Sequence, residues 1–195
     1  MIYYLALTRQ RAADNENLKP KVPQGRKESR AMTKELHDLD YYETHDIPIE
    51  AARASGNFDV EIAVHFNPEL EEARNISDAA SLLAAYVSGA ESDIRRYSED
   101  TISEHRLFGI EFHFQGLMKA CHAYHSLMEK YEALYLDFVQ YLKAFEASFY
   151  RAKKTHSLKE MNIMGHFAYT LDRITWVIYN KIGEKVVSDI LAAVA

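Results

Sequence analysis

Residues 101–153 of this 195-residue chain read TISEHRLFGIEFHFQGLMKACHAYHSLMEKYEALYLDFVQYLKAFEASFYRAK and carry its strongest periodic pattern. Apolar side chains recur there at intervals that alternate between three and four residues, which is typical of one face of a helix with heptad character. We call this row the aromatic seam; it consists of Leu107, Ile110, Phe114, Leu117, Cys121, Tyr124, Met128, Tyr131, Tyr135, Phe138, Leu142, Phe145 and Phe149. Thr101-Ile-Ser-Glu104 is a capping box, which predicts that the helix begins there.

The length of the aromatic seam limits how it can fold. One helix from Ile102 to Lys153 would be about 78 Å long at roughly 1.5 Å per residue. A compact chain of this size has a diameter of only roughly 40 Å. The helix must therefore protrude towards a partner or break, and Gly109 and Gly116 are the expected break points. Helix is predicted for 117–153; for 102–116 it is favoured over a strand, which the period-two spacing of the phenylalanines would also allow.

A second periodic pattern lies nearer the amino terminus. In Phe58-Asp-Val-Glu-Ile-Ala-Val-His-Phe66 every second residue is apolar, which predicts a half-buried strand. Met1–Leu7 is apolar and rich in tyrosine, and we expect it to form a further strand. The segment from about residue 10 to residue 30 is basic and contains two prolines and a glycine. Such a segment is expected to be a mobile loop.

The remaining signals are helical. Asn67-Pro68-Glu69 supplies an N-cap, a first-turn proline and an acidic first turn, so a helix should follow. Ser157-Leu-Lys-Glu160 is a second capping box that begins another long helix, and Gly183 is expected to end it. The expected fold class is mainly α: a helical bundle built on a long aromatic-seamed helix, with a small two- or three-stranded β element. Residues 1–66 would form a small N-terminal α+β part and residues 67–195 the bundle, together one structural domain.

Composition and charge narrow the classes of function. The chain is 48% apolar and 27% charged, which is typical of a folded globular protein. Its net charge of −6 conceals an acidic middle, because residues 36–104 carry a net −12 whereas the flanking parts carry +4 and +2. A single cysteine, a poor match to a signal peptide and no apolar stretch of bilayer length predict a cytoplasmic protein with no membrane partner.

Histidines beside the aromatic seam form one candidate site. His122, His125 and Glu129 share one helix face through their spacing of three and four. His166 of the following helix could complete a metal site of nitrogen and oxygen ligands. The alternative is an ordinary polar helix face. No motif for an organic cofactor is present, and no cofactor is expected.

Arg151-Ala-Lys-Lys-Thr-His156 places an arginine and a histidine close together after the predicted long helix. This pair resembles the Arg-x(4–6)-His motif of HEPN ribonucleases, which are helical proteins. The resemblance implies metal-independent cleavage at an RNA phosphate within a dimer, with Arg151 and His156 as the catalytic residues. Two other Arg/His pairs of the chain have a spacing in the same range. The alternative is that Arg151 and the lysines after it complement the carboxyl end of the helix.

The length of the aromatic seam and the missing catalytic motifs favour a non-enzymatic binding or regulatory protein. It would act through helix-mediated protein–protein contacts and associate with itself, because aromatic side chains are well suited to interfaces. The predicted interface consists of Tyr124, Tyr131, Tyr135, Phe138, Phe145 and Phe149. The alternatives are the HEPN-like ribonuclease and an acidic inhibitor of a nucleic-acid-binding protein. Nucleic acid could also contact the basic residues Lys19, Lys21, Arg26, Lys27 and Arg30.

Overall fold

The computed structural model describes residues 45–195, and seven helices contain 88% of them. The prediction of a mainly α protein is confirmed. The helices are α1 (Ile47–Ala54), α2 (Phe58–His65), α3 (Pro68–Tyr97), α4 (Glu104–Ala123), α5 (His125–Lys130), α6 (Glu132–Thr155) and α7 (Leu158–Val194). The predicted strand at Met1–Leu7 and the predicted loop at about 10–30 lie outside the described residues.

The four long helices, α3, α4, α6 and α7, form a bundle. α3 packs along both α4 and α7, and α6 packs along α7. α4 meets α6 through large rings: the ring centroid of Phe114 is 5.2 Å from that of Phe145 and 6.3 Å from that of Phe149. Apolar side chains from all four helices, such as Leu83 and Leu171, are fully buried in one core. Burial of this apolar surface is the main source of stability for the bundle.

The aromatic seam does not form one helix. The backbone leaves helical geometry at Tyr124 and again at Tyr131, where φ is −109° and −114°. The chain reverses direction over the short α5, which brings Phe145 back against Phe114. The helix predicted over 117–153 is therefore wrong in its continuity, although all of these residues except Tyr124 and Tyr131 are helical. The seam packs against itself inside the bundle, so its length requires no partner.

The expected break at Gly109 or Gly116 is also wrong, because α4 runs through both glycines. The helix favoured over 102–116 is confirmed. A Cβ at Gly109 would lie 1.8 Å from the hydroxyl oxygen of Tyr86 on α3, so this glycine permits close packing of two helices. It is a packing position inside a continuous helix rather than a break.

Both tyrosines at the breaks are bound by α3. The Asn75 side-chain amide donates a hydrogen bond of 3.0 Å to the hydroxyl oxygen of Tyr124. The Tyr131 hydroxyl donates to Glu69, with an oxygen–oxygen distance of 2.7 Å, and Lys130 bonds the other carboxylate oxygen. These hydrogen bonds hold the turn around α5 against the amino-terminal half of α3.

We expect the contacts of Glu69 to make stability depend on pH. Hydrogen bonds from Lys130 and Tyr131 lower the pKa of Glu69 below its ordinary value. Because the pKa is lower in the folded state, the stabilisation is present above the ordinary pKa and is lost as the pH falls through the lowered value. Glu69→Gln should cost about 0.5–1 kcal/mol of unfolding free energy at pH 7 and almost nothing at pH 3. Urea unfolding at both pH values measures this; an equal loss at both would contradict it.

The predicted strand at Phe58–Phe66 is wrong, because these residues form α2, whose N-cap Asn57 accepts a hydrogen bond from the Asp59 amide. No strand occurs between residues 45 and 195. Successive residues of a helix are about 100° apart, so positions two apart lie on nearly opposite faces. The alternating apolar residues therefore divide: Val60 and Val64 are buried, and Phe58, Ile62 and Phe66 are exposed.

Helix starts agree with the sequence signals to different degrees. Asn67 caps α3 as predicted, since its side-chain oxygen accepts from the amides of Glu69 and Leu70. α4 is capped by Ser103 rather than by Thr101. Ser157 precedes α7 but makes no capping bond. The start of a helix is thus predicted within a few residues, whereas the bonding of a capping box is not.

Gly183 does not end the last helix, because α7 continues to Val194. A Cβ at this glycine would lie 1.9 Å from Cγ of Pro48. α1 therefore rests directly on the backbone of α7. The buried Tyr179 fixes the same contact, since its hydroxyl donates to Asp46 at 3.0 Å and accepts from Arg74 at 2.6 Å. Gly183 is needed for the docking of α1.

Candidate protein-binding surfaces

The aromatic residues predicted to form an interface lie within this chain's own bundle. Phe138 and Phe145 have no exposed surface, and Tyr135 and Phe149 are almost completely buried. Tyr124 and Tyr131 are half-buried, and their hydroxyls are bonded to α3. Because the hairpin of α4 and α6 buries the aromatic seam, another protein would have to contact different residues of the folded chain.

The predicted metal ligands do not form a metal site. His122 and His125 are exposed on the two sides of the break at Tyr124, with ring centroids 6.4 Å apart. Within residues 45–195 no three His, Cys, Asp or Glu side chains come together so that they could hold a metal ion. Hence Glu129 and His166 do not complete a set with the two histidines. Cys121 does not supply a further ligand. A thiol binds a metal as the thiolate, and burial raises the pKa of this thiol to about 12.

Arg151 and His156 are each held by a separate carboxylate. The Arg151 guanidinium bonds Glu160 at 3.1 Å. His156 follows α6 in the left-handed conformation, with φ of 52°. Its Nδ1 lies 2.8 Å from the carbonyl oxygen of Ile102, and its Nε2 lies 3.1 Å from a Glu104 oxygen. The backbone of His156 also accepts a hydrogen bond from Ile102, so this residue joins the start of α4 to the end of α6.

Two helices turn aromatic side chains outward. The α2 face consists of Phe58, Ile62 and Phe66, which are 72%, 42% and 74% exposed. The α4 face consists of His105, Phe108, Phe112, Gln115, Gly116 and Lys119, all exposed. Phe108 and Phe112 are one helical turn apart and 69% and 66% exposed. Burying such side chains is favourable by roughly 1.5–3 kcal/mol each, so both faces are candidate binding surfaces.

An open groove of about 580 Å³ runs between α3 and α4, beside the α4 face. Small residues of α3, Ala85 and Gly89, form one side, and His105 and His113 of α4 form the other. Gly89 is exposed, and a Cβ placed on it would meet no atom within 4 Å. The α4 face therefore has open space beside it, into which a bound helix could extend.

Known proteins give no independent guide to these surfaces. A scan against protein-family models, a search of curated proteins and a search of solved structures each found no match. Within the part of the chain that the structure describes, no helix combines the length and the apolar character needed to cross a bilayer.

Neither face was predicted from the sequence, although a signal for the α4 face is present. In α4 the aromatic seam includes Leu107 and Phe114, and Phe108 and Phe112 form a second apolar row outside it. A helix with an apolar row on each of two sides has more apolar surface than one core needs. The α2 face was missed because a strand interpretation gives Phe58, Val60 and Ile62 the same side.

Proposed function

We propose that this protein is a non-enzymatic binding protein that acts through helix-mediated contacts at the α2 face and the α4 face. The observation that carries the proposal is the exposure of four phenylalanines, each about two-thirds exposed or more, at positions one or two helical turns apart. Contiguous exposed apolar surface on a folded protein commonly marks an interaction site. Aromatic residues are also enriched among those that dominate binding energy.

Charge beside the α2 face favours a partner with basic residues. Asp59 is exposed next to this face, and Glu71, in the first turn of α3 directly after Phe66, is exposed as well. An amphipathic helix with apolar anchors and a rim of lysine and arginine would match this surface in shape and in charge. A basic partner of this kind is also what the hypothesis of an acidic inhibitor requires.

The contacts of Arg151 and His156 favour a structural role over the ribonuclease hypothesis. The side chains of both residues are already in contact with carboxylates, Glu160 and Glu104, and these carboxylates would compete with an RNA phosphate for the same side chains. A reducing compartment such as the cytoplasm suits the one cysteine of the chain. We therefore propose a cytoplasmic binding protein and assign no reaction to it.

Affinity purification from the native host tests the proposal. The wild type is compared with Phe58→Ser/Phe66→Ser, with Phe108→Ser/Phe112→Ser and, as the matched control, with Leu136→Ser on α6. Leu136 is 55% exposed but belongs to neither face. We expect at least one protein to be depleted tenfold or more by one of the double variants and retained by the control, since anchors contribute about 2 kcal/mol or more. Identical protein profiles for all four, measured by quantitative mass spectrometry, would contradict the proposal.

A further inference from the structure

The α4 face has the pattern of a helix that pairs with another helix. Its residues His105, Phe108, Phe112, Gln115 and Lys119 are spaced by three and four, which is the interval of a coiled-coil seam. All five are exposed, whereas the inner side of the same helix is fully used by the bundle core. α4 therefore carries two seams, and among residues 45–195 only the inner one is covered by other parts of the chain.

We propose that the α4 face binds a second copy of this chain, with the two α4 helices antiparallel across a two-fold axis. The axis would cross α4 between Phe108 and Phe112. Phe108 of each copy would then face Phe112 of the other, and His105 would face Gln115. A two-fold contact requires a surface that is complementary to itself, and two phenylalanines one turn apart meet this requirement. Aromatic pairs add favourable contacts beyond the area they bury.

The charges along α4 determine that the pairing is antiparallel. The start of the helix is acidic, with Asp100 exposed and the Glu104 side chain 77% exposed. Lys119 lies near the other end of the same face. In an antiparallel pair, Glu104 of one copy and Lys119 of the other are offset by three residues, which is about 4.5 Å along the helix axis. Their side chains are long enough to span this offset. A parallel pair would instead bring Lys119 against Lys119 and align the helix dipoles.

Gly116 supports the same arrangement. A glycine inside a helix costs up to about 1 kcal/mol relative to alanine, and a Cβ at this position would meet no atom of the described residues within 4 Å. Packing within the bundle therefore gives no reason for a glycine here. In the antiparallel pair, Gly116 lies opposite Glu104 of the second copy, where the missing side chain leaves room for the carboxylate to reach Lys119.

The size of the contact predicts weak association. Two phenylalanines and four flanking side chains from each copy bury less surface than a stable dimer needs, which is about 800 Å² per partner. We expect a dimer in the micromolar range that forms and dissociates rapidly. The pairing rests on the proposed function, because it uses the α4 face as a protein-binding surface, and it specifies one occupant for that face.

Charge reversal tests the pairing on the full chain by sedimentation equilibrium. Glu104→Lys alone and Lys119→Glu alone each put like charges at two contacts and should weaken dimerisation about fivefold. An equimolar mixture of the two variants should restore wild-type affinity, because position 104 of each copy then meets the opposite charge at position 119 of the other. Phe108→Ser/Phe112→Ser should weaken dimerisation about thirtyfold or more, and Leu136→Ser should leave it unchanged.

Several outcomes separate this pairing from the broader function. If the wild type stays monomeric at all concentrations, the pairing is wrong. The proposed function still stands in that case if Phe108→Ser/Phe112→Ser fails to retain a host protein that the wild type retains in the affinity purification. A mixture that associates no better than either variant also overturns the pairing. Because Glu104 contacts His156, thermal unfolding must show that Glu104→Lys is folded; if it is not, the phenylalanine variants and their control decide the test.

Discussion

Phe145→Ala should lower the free energy of unfolding by about 3–5 kcal/mol. Phe145 has no exposed surface, and its ring packs against that of Phe114 across the contact between α4 and α6. Removing the ring leaves a cavity in the contact between α4 and α6. The cavity lies among other buried side chains of the core, including Phe114, so the structure can collapse into it only in part. Urea unfolding followed by circular dichroism measures the loss.

Phe108→Ala is the matched control, since it removes the same side chain from α4 at a position that is 69% exposed. At concentrations low enough to keep the protein monomeric, it should change stability by less than about 0.5 kcal/mol. Similar losses for the two variants would contradict the assignment of Phe145 to the core and of Phe108 to the surface.

The same substitution at two helical glycines should have opposite effects. Gly183→Ala places a Cβ 1.9 Å from Cγ of Pro48, and neither the proline ring nor the α7 backbone can move without shifting α1. We expect it to lower the unfolding free energy by about 1–3 kcal/mol, which is the usual cost of overpacking. Gly89→Ala meets open space and should raise stability by up to about 1 kcal/mol, because alanine is the better helix former.

Thermal unfolding of both glycine variants and the wild type measures this contrast. Hydrogen exchange of the α1 amides gives a second measurement, since loss of the Pro48 contact should increase exchange there first. If Gly183→Ala were stabilising and left exchange in α1 unchanged, the docking of α1 on α7 would be contradicted.

Much of the helical architecture could be predicted from local signals, and the exceptions have physical causes. Asn67 caps α3 as predicted because its side chain bonds amides two and three residues away, which is information contained in the sequence itself. At the breaks, by contrast, the hydroxyls of Tyr124 and Tyr131 are hydrogen-bonded to Asn75 and Glu69 of α3, which are far away in the sequence. No glycine or proline marks the breaks, so a continuous helix was the natural prediction.

The location of a binding surface was harder to predict than the fold. A row such as Phe138, Phe145 and Phe149 predicts that a helix buries one side, but it does not say whether another chain or the same chain covers it. Here the reversal at α5 covers it from within. The segment that contains Phe58, Val60 and Ile62 shows a second difficulty. In a strand these three side chains lie on one side, whereas in a helix Val60 lies on the side opposite to the other two.

Photo-crosslinking tests most directly whether the α4 face is a protein-binding surface. A photoreactive phenylalanine analogue replaces Phe112 in one variant and, as the control, Leu136 in another. Both variants are irradiated over a range of concentrations and separated by mass. We expect position 112 to give a product of twice the mass of the chain, with the crosslink to α4 of the second copy near Phe108, and position 136 to give none. The absence of any crosslinked protein from position 112, or equal yields from both positions, would contradict it.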